Sequence, residues 1–88
     1  MDNRAMRPSD QVRKYVYQQY VAPARIAKMS TVTFMSGEIH EALGFSNRLA
    51  CVCDALATKK FEDTYGVKRM SITGPQHSST TTFTFFVS

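Results

Sequence analysis

Two apolar patterns of helical period meet at Gly44, and that junction limits what the rest of the chain can do. Upstream, Ser36 is suited to an N-cap, Glu38 lies in the first turn where the helix dipole favours an anion, and Ile39, Ala42 and Leu43 share one face. Gly44 supplies the left-handed C′ position that ends the helix, and Phe45 at C″ is placed to fold back onto Ile39. Ser46 then reads as a second N-cap, and from Asn47 onward Leu49, Val52, Cys53 and Leu56 recur at the spacing of an amphipathic helix. That helix either runs to Tyr65 and ends at Gly66, or breaks at Thr58 and restarts with Phe61 packed inward. The expectation is two short helices around a tight turn.

The flanking segments indicate what those helices pack against. Residues 1–8 lack periodicity, carry Arg4 and Arg7, and read as a flexible arm. Ser9 or Asp10 is expected to cap a helix whose apolar residues include Val12, Tyr15 and Val16, with Arg13, Lys14, Gln18 and Arg25 on or near its outer side. Pro23 removes a backbone donor, so this helix must kink or restart near Ala22 before ending around Lys28. Alternation of Val32 and Phe34 with threonines marks residues 30–35 as a half-buried strand, and residues 68–73 and 81–88 alternate in the same way. Between these last two, Gly74 and Pro75 open a polar loop. The order is helix, strand, helix, turn, helix, strand, loop, strand, an α+β domain spanning residues 9–88.

With 88 residues the chain has material for one modest core and not for a cleft between two lobes, which disfavours an enzyme. No segment approaches the roughly 20 consecutive apolar residues of a membrane span. The N-terminal residues MDNRAMRPSD lack the apolar stretch of a secretory signal, so a cytoplasmic location is expected. Cys51 and Cys53 are too few and too close for a disulfide framework, which fits a reducing compartment. On a helix they point about 200° apart, and so cannot share a metal with His40 or His77. The string HEALG has Gly44 where a zinc protease needs its second histidine. No metal, cofactor or catalytic residue is expected.

The segment from Ser36 to Cys53 resembles the winged helix-turn-helix family. Ile39, Leu43, Gly44, Phe45, Ala50 and Cys53 stand where such units place apolar residues and the turn glycine. The resemblance extends over residues 9–88, and the run NRLACVCDALATKKF is similar to small prokaryotic modules found beside restriction or other defence components. His40 departs from the pattern, because it stands where the family usually has a small residue. The resemblance implies three helices with a small antiparallel sheet, arranged helix-strand-helix-helix-strand-strand. It also implies a double-stranded DNA partner, in a small transcriptional regulator or the targeting module of a larger system.

On that reading, the helix after the turn presents Ser46, Asn47, Arg48, Cys51, Asp54, Ala55 and Thr58 to the major groove. Arg48 would pair with guanine and Asn47 with adenine. The final hairpin is the wing, with Lys68 and Arg69 at its base and Gln76, His77, Ser78 and Ser79 at its tip, and Arg13 and Lys14 of the first helix add phosphate contacts. The overall charge of +4 suits a polyanion, yet residues 30–66 carry a net charge of −2, so the attraction must come from either side of the helix-turn-helix. A symmetric dimer would compensate, joined through the first helix, where Tyr15, Tyr17 and Tyr20 lie, or through the last strand at Phe86. The alternative function is protein–protein assembly without direct DNA contact.

Overall fold

In the computed structural model the structure describes residues 7–75 and 77–87. Its elements are α1 (Pro8–Val16), a π-helical turn (Tyr17–Val21), α2 (Ala22–Ile26), β1 (Thr31–Met35), α3 (Ser36–Ala42), α4 (Leu49–Ala57), α5 (Lys59–Tyr65), β2 (Lys68–Thr73) and β3 (Thr82–Phe86). The fold is a mixed α+β arrangement with a three-stranded antiparallel sheet in the order β1-β3-β2.

The first helical run begins one turn's corner earlier than its capping residues suggested. Arg7 is the N-cap in extended conformation and Pro8 occupies N1, where its missing N–H costs nothing. Asp10 therefore sits inside the first turn and pairs with Arg13 at 2.8 Å instead of capping. Further along, Pro23 has no N–H to return to Gln19. The turn before it widens to i+5 pairing, with the Ala22 N–H reaching the Tyr17 carbonyl, and the helix resumes without a break. It ends at Ile26, and Lys28 just beyond the Ala27 cap adopts φ 60° without being glycine, while the Met29 N–H bonds to the Ala24 carbonyl at 2.8 Å and the Lys28 N–H to that of Arg25 at 3.0 Å.

All three strands fall where alternation placed them. Val32 pairs with Phe85 and Phe34 with Phe83 on the inner face, where Phe34, Phe83 and Phe85 stack with ring centroids 5.9–6.3 Å apart. Phe61 meets Phe85 edge-on at 5.0 Å, the inward packing that one of the two readings of this segment gave it, and Val12, Val16, Val52 and Leu56 complete the core. Cross-strand partners share a face, which puts Thr31, Phe86 and Lys68 in one row on the outer side and Thr33, Thr84 and Ser71 in the next. β2 carries a bulge between Arg69 and Ser71 that leaves Met70 unpaired and exposed. No helix among the described residues is long and apolar enough to cross a membrane.

Of the two endings left open by the sequence, the chain takes the break at Thr58. Its backbone is extended (φ −82°, ψ 150°), closing α4 and opening α5, and Gly66 ends α5 in the left-handed region at φ 66°.

Candidate nucleic-acid interface

The turn between α3 and α4 is built from backbone bonds that only a left-handed residue permits. Gly44 at φ 68° lets its N–H reach the Glu41 carbonyl at 3.0 Å and the Phe45 N–H reach the His40 carbonyl at 3.1 Å. Phe45 folds back against α3, but the ring it meets is that of His40, edge-on at 6.0 Å, where Ile39 was the expected contact. His40, out of place in the sequence pattern, has a use in space: its Nε2 accepts the Arg48 N–H at 3.1 Å, tying the end of α3 to the start of α4. That bond places the imidazole proton of the neutral ring on Nδ1.

The helix begins later than expected. Asn47 is left-handed (φ 54°), Arg48 is the N-cap, and Leu49 is the first helical residue, so Ser46 and Asn47 belong to the turn and Ser46 caps nothing. All three side chains from Ser46 to Arg48 are exposed. A short polar residue such as Asn tolerates this backbone because its side chain bonds locally. Downstream, α4 buries Val52, Cys53, Ala55 and Leu56, a broader face than the helical spacing alone implied, because it packs on both α1 and α3. Ala55, expected to point outward, is thereby buried, and the free surface of α4 narrows to Ala50, Asp54 and Ala57 beside a half-buried Cys51. Thr58 is exposed, but its hydroxyl donates to the Ala55 carbonyl at 3.0 Å and lies 3.4 Å from the Arg13 guanidinium that donates to it.

The β2–β3 loop does not project as a free tip; it folds onto α3 and α4. The Ser36 N–H donates to the Thr81 carbonyl and the Gly37 N–H to the Ser79 carbonyl, both at 2.9 Å, and the buried Ser36 hydroxyl donates to the Ser78 carbonyl. These carbonyls take the N–H groups that open α3, while the Met35 N–H is taken by Glu38 at 3.1 Å. Ser36 is thus the first helical residue and not the N-cap, which is Met35. A Cβ on Gly37 would stand 2.6 Å from the Ser79 carbonyl oxygen, so the absent side chain is what admits the loop. Farther along, His77 Nε2 lies 3.0 Å from Asp54 Oδ1, joining the loop to the exposed face of α4. Ser79 is exposed, Ser78 half-buried with its hydroxyl 3.1 Å from that of Thr80, and Gln76 lies outside the described residues.

Three arginines are committed to backbone carbonyls. Arg13, expected on the outer side of α1, is 8% exposed and donates to Ala55 at 3.1 Å, because α4 packs directly over it. Arg25 reaches Val87 at 2.7 Å, Tyr65 at 2.8 Å and Gly66 at 3.0 Å. Arg69 donates its guanidinium to the Ala57 carbonyl at 3.2 Å, and its backbone N–H to Glu62 at 2.8 Å. Lys14 is half-buried and Lys68 exposed. The first-helix tyrosines are also used inside the molecule: Tyr17 stacks on Tyr65 at 4.7 Å and Tyr20 meets Phe34 at 5.0 Å. Phe86 remains 42% exposed on the outer sheet face.

Cys51 and Cys53 are free thiols, Cys53 in the core, and no group of three His, Cys, Asp or Glu side chains among the described residues is placed to hold a metal ion. Sequence reasoning missed the pairing of His77 with Asp54 and of Arg13 with Ala55, contacts 23 and 42 residues apart that leave no local signal. Compared with models of known protein families, with curated protein sequences and with solved structures, the chain matches none.

Proposed function

We propose that this chain is a winged-helix domain that binds double-stranded DNA and reads its sequence with the turn before α4, as a small transcriptional regulator or the targeting part of a larger system. The observation that carries this reading is the placement of the β2–β3 loop against α4. His77 on Asp54 joins turn, helix and hairpin loop into one exposed polar surface. α4 is slim on its free side, with Ala50, Asp54 and Ala57 outward, and a slim helix is what the roughly 12 Å major groove admits. Arg48 leads into that groove. Its backbone is held by His40 while its guanidinium stays exposed and free to meet a guanine edge, and Ser46 and Asn47 stand beside it. Phosphate attraction then rests on Arg7, Lys14, Lys59 and Lys68, since Arg13 and Arg69 serve the fold. A two-fold dimer through the outer sheet face at Phe86 would double that attraction on a paired site.

Duplex binding measured against salt tests the reading: affinity should fall steeply as salt rises. Arg48→Ala should cost about 1–3 kcal/mol of discrimination at one position, whereas Lys68→Ala should weaken all sequences alike. Absence of duplex binding at low salt would favour a second reading, protein–protein assembly. That reading has its own support, because no residue from Leu49 to Ala57 is basic and the one charge α4 presents there is Asp54.

A further inference from the structure

We propose that the half-open pocket between α4, β2 and the β2–β3 loop receives one flat heteroaromatic base with an amino group on its edge, the chemistry of cytosine, adenine or guanine. The cavity holds about 310 Å³ and is lined by Cys53, Asp54, Ala57, Ile72, His77 and Phe83 together with backbone at Gly74 and Thr81. Its size lies at the low end of the roughly 300–1,000 Å³ of small-molecule sites and is ample for one base, so the choice of ligand rests on the lining. The deep side is apolar: Phe83 and Cys53 belong to the core, and Ile72 and Ala57 form opposite walls from β2 and α4. An aromatic floor between two aliphatic walls favours a flat ring over a branched aliphatic group.

The mouth decides which ring. Asp54 and His77 are the ionisable side chains there besides the Cys53 thiol below, and His77 Nε2 occupies Asp54 Oδ1, which leaves Oδ2 as an acceptor. Thr81 offers no competing donor, since its hydroxyl donates to the Pro75 carbonyl and accepts the Ser78 N–H. A carboxylate over an apolar floor attracts N–H donors and repels phosphate or carboxylate groups. An amino-bearing base satisfies both ends of the site and keeps its sugar and phosphate outside. Such a ring is available as a free nucleoside or as an unpaired base turned out of a duplex. The second source rests on the DNA-binding reading above; the first does not.

Titration of the protein with nucleosides, followed by backbone amide chemical shifts, tests the site. Cytidine and adenosine are expected to shift the amides of Cys53, Asp54, Ile72 and Phe83, and 3-methyluridine, which has no N–H on its base, at least about tenfold more weakly, the scale of one hydrogen bond to a charged group. Asp54→Asn should erase that preference, and Ala57→Phe, which fills the cavity from an exposed helix position, should abolish binding of every nucleoside. A duplex carrying one unpaired cytosine, compared with the same duplex fully paired, separates the sources. Stronger shifts at the four amides with the unpaired base assign the site to an extrahelical base, and shifts with nucleosides alone assign it to a free one. If no duplex binds while cytidine still does, the DNA-binding reading fails and the pocket stands. If neither nucleosides nor the unpaired duplex move these amides, or 3-methyluridine binds as well as cytidine, the proposal is overturned.

Discussion

The two ends of α4 meet arginine in opposite ways. At its C-terminal end, Arg13 donates to the Ala55 carbonyl and Arg69 to the Ala57 carbonyl, so the chain's own cations neutralise the negative pole of the helix. At its N-terminal end, Arg48 gives only its backbone N–H to His40 and holds its guanidinium in solvent. The N–H groups of the first helical turn there are the ones a helix leaves without internal acceptors. One end is closed by the fold, and the other keeps an exposed guanidinium, as the proposed DNA contact requires. Formal charge therefore says little about binding capacity until each cation is located, because the same side chain is a structural brace at positions 13, 25 and 69 and a free group at position 48.

Removing one guanidinium from each end is the largest test of this contrast. Arg13→Ala takes a buried charged donor from the Ala55 carbonyl, which keeps the Thr58 hydroxyl, leaves Asp10 with Lys60 at 3.6 Å, and should lower unfolding free energy by about 2–3 kcal/mol. Arg48→Ala should stay within about 0.5 kcal/mol of the parent, as exposed substitutions usually do. Urea denaturation of the two variants measures both. Equal losses would mean that Arg48 also braces the fold and that the ends of α4 do not differ.

The next effect concerns how the hairpin loop is held. Alanine in place of glycine within a helix ordinarily gains up to about 1 kcal/mol. At Gly37 the sign should reverse, with a loss of about 1–2 kcal/mol, because the new methyl meets the Ser79 backbone oxygen at 2.6 Å and the loop must move away. Hydrogen exchange at the Ser36 and Gly37 amides locates the damage: both should lose protection while the amides of β3 keep theirs. A stabilised Gly37→Ala would show that the loop is not pressed against α3.

These contacts also mark where the sequence stopped being informative. The three strands and the stop at Gly44 depend on period and local turn chemistry and were legible, whereas Phe45 folds onto His40 where Ile39 was expected, and the inward turn of Phe61 was legible only as one of two endings. The wider turn before Pro23 was legible only as a disturbance near Ala22; its place, Tyr17–Val21, follows from which carbonyl loses its donor. The start of α4 was read at Ser46 because Ser is a common cap, whereas the bond from Arg48 to His40, eight residues back, moves the cap to Arg48. Arg13 and Ala55 were misplaced together for one reason. Their burial is mutual, and neither period nor propensity encodes which outward-looking face another helix will cover.

A smaller effect separates the two arginines that face the C-terminal end of α4. Arg69 lies in the open, so its bond to the Ala57 carbonyl should be worth about 0.5–1 kcal/mol, well below that of Arg13. Arg69→Lys should lose most of it, since one ammonium cannot reproduce the reach of the guanidinium. Loss of DNA affinity in Arg69→Ala without loss of stability would reassign this residue from brace to phosphate contact.

The smallest effect is a matter of pH and belongs to the closed end alone. Burial, then the negative charge of Asp10, holds the Tyr65 phenol above its ordinary value of 10.0, with Arg13 opposing the shift. A phenol whose value is raised on folding is favoured in its neutral form, so its share of stability is complete below about pH 10 and is lost as pH climbs through the raised value. Tyr65→Phe keeps the ring that stacks on Tyr17 and removes the titrating group, and should therefore flatten part of the alkaline fall in the urea midpoint while leaving neutral stability nearly unchanged. In proteins that keep Tyr65 the contrast sharpens: Arg13→Ala, losing the opposing cation, should push the Tyr65 titration higher still, whereas Arg48→Ala, at the far end of α4, should leave it where it was. An identical Tyr65 titration in all three proteins would show that Arg13 does not act on this end of the molecule through its charge.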